Sequence, residues 1–195
     1  MDEHVDILEE RYGESLVHDF RDVDEERAKA RELGLVRCTP INPDKYPRMQ
    51  RLWEHIQTQD YAFDDFSRGS IETFALSLLD KGSLHFEVDD RGYIVVRNLL
   101  YSDNPNIHFC VWDRSMQMRE IIACGQEIID FLFRRLKVAR VSAWIPTYNR
   151  QATRFATLLG FRYEGEQRNA ILFHEKHYNV QMYGLLRSEW ENKRR

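Results

Sequence analysis

The feature that most narrows the fold lies in the second half of the chain. There, three β-type runs give way to one long helical stretch and then, at once, to another strand. Residues 83–88, 93–100 and 106–112 are joined by Asp89-Asp90-Arg91-Gly92 and by Ser102-Asp103-Asn104-Pro105. Both linkers carry turn chemistry, so the three runs predict an antiparallel meander. Residues 116–136 place Ile121, Gly125, Ile128, Leu132 and Leu136 on one helical face, flanked by Ile122, Ile129 and Phe133. Val138 to Ile145 follows directly as a β-branched strand. A strand–helix–strand succession predicts parallel pairing through a right-handed crossover. The expected class is therefore α/β (α+β), with a mixed sheet covered by helices.

The flanking segments fit that plan. Leu35-Val36-Arg37-Cys38-Thr39 reads as a short strand, and Asn42-Pro43 starts a helix with Tyr46, Met49, Leu52, Trp53 and Ile56 on its apolar face. Ser70 caps a shorter helix carrying Ile71, Phe74, Leu78 and Leu79, with Gly82 as its stop. A helix over 149–159 ends at Gly160, and 161–167 and 178–187 are the last strands. At the other end, Val5, Leu8, Tyr12, Leu16, Phe20 and Val23 recur at helical steps, and a charged helical stretch follows to Gly34.

Charge separates the two parts. Residues 1–34 hold 12 Asp/Glu and 5 Lys/Arg, a net charge of −7, and the remainder is +3. A mildly basic body suits a phosphate-rich ligand. It lacks the dense Lys/Arg stripe of a nucleic-acid binder, so nucleic acid is not an expected partner. No apolar run approaches the ~18 residues of a membrane span, and the acidic start is not a secretory signal. Three scattered cysteines, Cys38, Cys110 and Cys124, form neither a disulfide framework nor a zinc spacing. The expectation is a cytoplasmic protein of 195 residues without membrane or metal partners.

The most informative stretch is Pro146-Thr147-Tyr148-Asn149-Arg150-Gln151-Ala152, continued by Leu159-Gly160-Phe161-Arg162-Tyr163-Glu164-Gly165 and Arg168. It resembles the GNAT N-acetyltransferases, nearest the branch that acetylates the N-terminal amines of ribosomal proteins. Tyr183, Leu185, Leu186, Arg187, Glu189 and Trp190 are similar to that branch's closing strand. The likeness runs without gaps from about Ile121 to Arg168 and more loosely over 35–190. It implies a GNAT domain over 35–190 with about six to seven strands, an acidic helical extension over 1–34 and a basic tail over 191–195. It also implies acetyl-CoA as co-substrate, held where the sheet splays between 106–112 and 139–145. Pantetheine would pair with the backbone over 108–112, including Cys110, Val111 and Trp112. The pyrophosphate would sit at the N-terminus of the next helix.

At that helix the chain departs from the family. The loop Asp113-Arg114-Ser115-Met116-Gln117-Met118-Arg119-Glu120 has no glycine, and Gly125 falls inside the helix, where close packing on the sheet is its expected role. Arg114, Ser115, Gln117 and Arg119 would ligate phosphate by side chain; alternatively, Asp113 or Ser115 caps the helix and the arginines are solvated. For catalysis, Asn106 stands where many members place a Glu, and Ala156 where others place a Tyr. His108 has a suitable pKa for the general base, or else is a structural histidine. Asn149 would orient groups near the thioester, cap its helix, or both. Cys110 and Cys124 are thiols without a nucleophile pattern. His174 and His177 with Glu175 read as solvated residues rather than a metal cluster.

Two functions remain open on this reading. One is transfer of acetyl from acetyl-CoA to a primary amine (a protein N-terminus, a lysine or a small amine) by direct attack in a ternary complex. The other is a GNAT-fold binding or assembly module without turnover. In either case the apolar stripe over residues 1–23 is an expected site of self-association or partner binding, away from the phosphate loop.

Overall fold

The computed structural model describes residues 23–41, 46–62, 69–99 and 103–193. The β-type runs form one seven-stranded sheet from β1 (Cys38–Pro40), β2 (Leu84–Val88), β3 (Gly92–Arg97), β4 (Asn106–Val111), β5 (Arg140–Pro146), β6 (Arg162–Phe173) and β7 (Lys176–Leu186). Their spatial order is β1-β2-β3-β4-β5-β7-β6. Strands β4 and β5 run parallel, and every other pair is antiparallel. The meander and the crossover therefore stand as the residue pattern requires.

Turn chemistry acts somewhat differently from the expectation. Asp89 and Asp90 adopt the left-handed conformation at φ 44° and 58°, and Gly92 is already in β3, paired with both Val88 and Val111. Aspartate tolerates that region because its short side chain hydrogen-bonds locally. The last two strands are longer than their apolar patterns, because His174 and Glu175, at φ 49° and 59°, close a two-residue hairpin between them.

Helices α1 (Val23–Glu32), α2 (Tyr46–Ile56), α3 (Ile71–Leu78), α4 (Met118–Arg134), α5 (Arg150–Leu159) and α6 (Arg187–Asn192) cover the sheet. Ser70 and Thr73 cap α3 reciprocally, but α3 ends at Leu78, ahead of Gly82. On one face, Met49, Leu52 and Ile56 of α2 with Phe74 and Leu78 of α3 pack over Tyr93, Val95 and Cys110. On the other face, Ile128, Ile129 and Leu132 of α4 with Leu159 of α5 pack over Ile94, Val96, Ile107 and Val141. Under α2 lies a buried ion pair, Arg48 Nε to Glu87 Oε2 at 2.6 Å.

Gly125 packs against a helix rather than the sheet: a Cβ there would come 2.7 Å from Leu159 Cδ1 and 2.9 Å from Phe155 Cζ, both on α5. Ala30 of α1, 2% exposed, belongs to the main core, and Arg135 donates to the Glu32 carbonyl at 3.0 Å. The apolar stripe from Val5 to Phe20 and the terminal Arg194 and Arg195 lie outside the described residues.

Candidate active site in the sheet split

Strands β4 and β5 pair at a single point, Asn106 opposite Ser142. There the Ser142 N–H donates to the Pro105 carbonyl at 2.9 Å. Beyond it the strands part, and a cleft of about 500 Å³ runs through the sheet from the α4/α5 face to the α2/α3 face. Phe109, Phe155 and Ala156 line it on the first side, and Val95, Arg97, His108 and Trp144 on the second.

Backbone alternation decides which groups of β4 face the opening. The Trp112 N–H donates to the Arg91 carbonyl, on the β3 side, while the Pro105 carbonyl points to β5. Successive residues of a strand alternate. The N–H and C=O groups of Ile107, Phe109 and Val111 therefore turn toward β5, and those of His108 and Cys110 toward β3. Past Asn106 no strand pairs with Phe109 or Val111 on that side. The Val111 carbonyl accepts from the Tyr61 hydroxyl at 2.8 Å. Tyr61 sits in a one-turn helix, Asp60–Ala62, at the mouth of the cleft. Burial pushes its phenol up, so it donates as a neutral hydroxyl.

The structure brings some of the sequence candidates together and separates others. His108 and Asn149 both line the cleft. Burial is the larger cause, and the charge of Arg97 the smaller, of a His108 pKa pushed down to about 4. Its imidazole is thus neutral across the physiological range and able to accept a hydrogen bond from a group in the cleft, to which the exposed side chain opens. The Asn149 side chain accepts from the Ala152 N–H at 3.0 Å and caps α5. Cys110 is buried, with its sulfur 4.0 Å from the Tyr61 hydroxyl; burial drives the thiol up to about 12, so it is not a nucleophile. Trp112 is turned away: its ring stacks on His55 at 5.0 Å and its Nε1 donates to the Asp90 carbonyl.

The loop before α4 is internally capped. Asp113 accepts from the Ser115 N–H at 2.8 Å and from the Ser115 hydroxyl at 2.8 Å. Glu120 accepts from the Gln117 N–H at 2.7 Å, and Arg91 lies within 4 Å of both carboxylates. These hydrogen bonds hold both carboxyls below their usual range. The N–H groups of Met118 and Arg119 keep no partner of that kind, and Arg114 and Arg119 are exposed and enter no ion pair among the described residues. The loop thus presents two backbone donors and two guanidinium groups beside two carboxylates already seated on it.

Residues that sequence reasoning did not place in the site are Tyr61, Arg97, Trp144 and Phe155, together with the inner edge of the β6–β7 hairpin at Ala170 and Ile171. That hairpin is tied across the cleft by His174 Nε2 and Asp60 Oδ2, 2.6 Å apart. Tyr148 lines the cleft too, stacked on Phe173 at 4.1 Å with Tyr178 edge-on at 5.1 Å. Among the described residues, no group of three His, Cys, Asp or Glu is placed to hold a metal ion, and no helix is long and apolar enough to cross a membrane.

No protein-family model matches the chain, and no curated protein matches it by sequence. Solved structures do match. A spermidine N-acetyltransferase SpeG variant from Vibrio cholerae superposes with a TM-score of 0.68 at 13% identity, over 81% of this chain and 99% of that one. A structure described as a probable acetyltransferase gives 0.62 at 20% identity, over 79% and 95%. A probable acetyltransferase of the GNAT family from Chromobacterium violaceum gives 0.63 at 16% identity, over 79% and 88%. The chain therefore has the fold of these GNAT acetyltransferases.

Proposed function

We propose that this protein is an N-acetyltransferase that takes acetyl-CoA in the split from the α4/α5 face and a primary amine from the α2/α3 face. The observation that carries the reading is the cleft itself: it crosses the sheet, and it leaves the β4 groups of Phe109 and Val111 without a strand partner. Those groups fit the amides of a pantetheine arm laid along β4. The N–H groups of Met118 and Arg119 with the side chains of Arg114 and Arg119 are the phosphate ligands of this reading, and Ser115 and Gln117 contribute less because their N–H groups are occupied. Bound acetyl-CoA supplies a thioester that the amine attacks, forming the C–N bond as the C–S bond breaks and CoA leaves as a thiolate that takes a proton.

The chain's own part is to orient and to manage protons. His108 accepts a hydrogen bond from the attacking nitrogen. With a pKa near 4 it is too weak a base to hold the proton of a free ammonium. The amine must enter neutral, or lose its proton to water in the open cleft. Asn149 fixes the start of α5, and with it the wall that carries Phe155 and Ala156. The test is release of CoA thiol from acetyl-CoA in the presence of primary amines, with His108→Gln as the variant. The expected loss is roughly 10²-fold in rate at pH 7. The acid limb that belongs to His108 should inflect near pH 4 rather than near 6.5.

One observation favours a second reading, that of a binding or assembly module: Asp113 and Glu120 occupy the loop where an anion would sit. Calorimetry with acetyl-CoA separates the two. Ligand at ~100 times its dissociation constant adds about 2.7 kcal/mol of stability, and a protein that binds none supports the module.

A further inference from the structure

Within the acetyltransferase reading, the α2/α3 mouth of the cleft restricts the acceptor. Among the described cleft-lining residues Arg97 is the one Lys or Arg, and none is Asp or Glu. The Arg97 side chain makes no ion pair or hydrogen bond to another described residue, and it stands exposed at the end of β3. The register places it opposite Asn106, with His108 opposite Val95. Arg97 and His108 are thus diagonal neighbours on one face, with Cβ atoms roughly 7 Å apart. The other walls at this mouth are mostly aromatic or apolar, with Phe74, Tyr93, Val95 and Trp144, the last 51% exposed, beside the hydroxyls of Ser77 and Tyr61.

We infer that the acceptor is an α-amino acid with an apolar or aromatic side chain, its carboxylate held by Arg97 and its amine directed past His108 into the split. A guanidinium presents a planar fork that matches one carboxylate bidentately. An α-amino acid carries its carboxylate and its amine on one carbon, and Arg97 and His108, neighbours on one face, can address the two groups together. A polycation has no carboxylate to meet among the described lining residues and is repelled by Arg97. The same positive charge disfavours protonation of a nearby amine, which leaves it in the form that attacks. This sets the cleft apart from what a spermidine acceptor requires.

The experiment compares L-phenylalanine, L-phenylalaninamide and spermidine, each in acetyl-CoA turnover and in calorimetric binding to the full chain saturated with CoA. Phenylalanine is expected to bind at least tenfold more tightly than its amide, with spermidine weakest. Arg97→Gln should collapse the phenylalanine-to-amide ratio at least tenfold through KM, and Arg97→Lys should restore part of it. Preference for the amide or for spermidine, an unchanged ratio in Arg97→Gln, or no binding of phenylalanine would overturn the inference. Turnover of spermidine without phenylalanine binding defeats it while leaving the acetyltransferase reading intact. Arg97-dependent phenylalanine binding without turnover upholds the acceptor site and defeats that reading instead.

Discussion

His85 makes the stability of this protein depend on pH in a way that can be worked out in advance. It lies on β2, 6% exposed, with Nδ1 2.5 Å from the Tyr93 hydroxyl and the ring beneath α3. Burial, and after it the charge of Arg97, pushes its pKa down to about 4 from the ordinary 6.5. A folded value below the unfolded one means that the unfolded chain binds the extra proton first as pH falls. The neutral histidine therefore contributes stability in full above pH 6.5, and that contribution is lost as pH falls from 6.5 toward 4. Integrated over that window, the loss is about 3 kcal/mol, a large share of a domain's ~5–15 kcal/mol. The assay is urea unfolding at pH 7, 6, 5 and 4 for the natural protein and for His85→Gln. Asp113 and Glu120, held low by the hydrogen bonds from Ser115 and Gln117, lose their contributions at lower pH in both proteins and cancel in the difference. His108 cancels in the same way. The stability gap between the two proteins should shrink by about 3 kcal/mol from pH 7 to pH 4. Two parallel stability curves would refute the argument, because they would mean that His85 charges freely in the folded state.

Three other perturbations test separate parts of the structure. Arg114→Ala combined with Arg119→Ala should weaken acetyl-CoA binding at least tenfold, about 1.4 kcal/mol by calorimetry; unchanged affinity would remove both from the phosphate site. Gly125→Ala gains about 1 kcal/mol of helix propensity, but its Cβ crowds Leu159 and Phe155 at a cost of about 1–3 kcal/mol, and Gly125→Val should lose clearly more in urea melts. Since Phe155 also lines the cleft, both variants should weaken acetyl-CoA binding along with stability. Deleting residues 1–34 strips Ala30 and Leu33 from the core and the Glu32 carbonyl from Arg135. Stability should fall by about 2 kcal/mol or more, and an unchanged unfolding midpoint would show that α1 is not part of the folded body.

The elements that were legible in the sequence are those whose signals are local. The 3.6-residue stripe from Ile121 to Leu132, the cap at Asn149 and the stop at Gly160 act within a few positions of themselves, and each appears where its chemistry requires. The internal capping of the phosphate loop was half legible too. Glu120 stands three residues after Gln117, the spacing at which a carboxylate reaches back to the N–H that opens a helix. A glycine-free loop with that spacing satisfies two of its own donors, the N–H groups of Ser115 and Gln117, and this is the physical content of its departure from the family pattern. What was not legible is whatever depends on register. Whether His108 faces a cation, a carboxylate or solvent follows from pairing Val95 with His108 and Arg97 with Asn106, and a slip of one residue would reverse every side chain on β4. Composition cannot supply that pairing, and the sequence over 100–105 lacks a two-residue turn signal that would pin it. The same register turns Arg97 from a polar residue at a strand end into a charge in the cleft. It lowers the pKa values of His85 and His108 and gives the α2/α3 mouth its sign. The sequence motif therefore bears on the proposed acetyl donor, whereas the proposed acceptor rests on the pairing of β3 with β4.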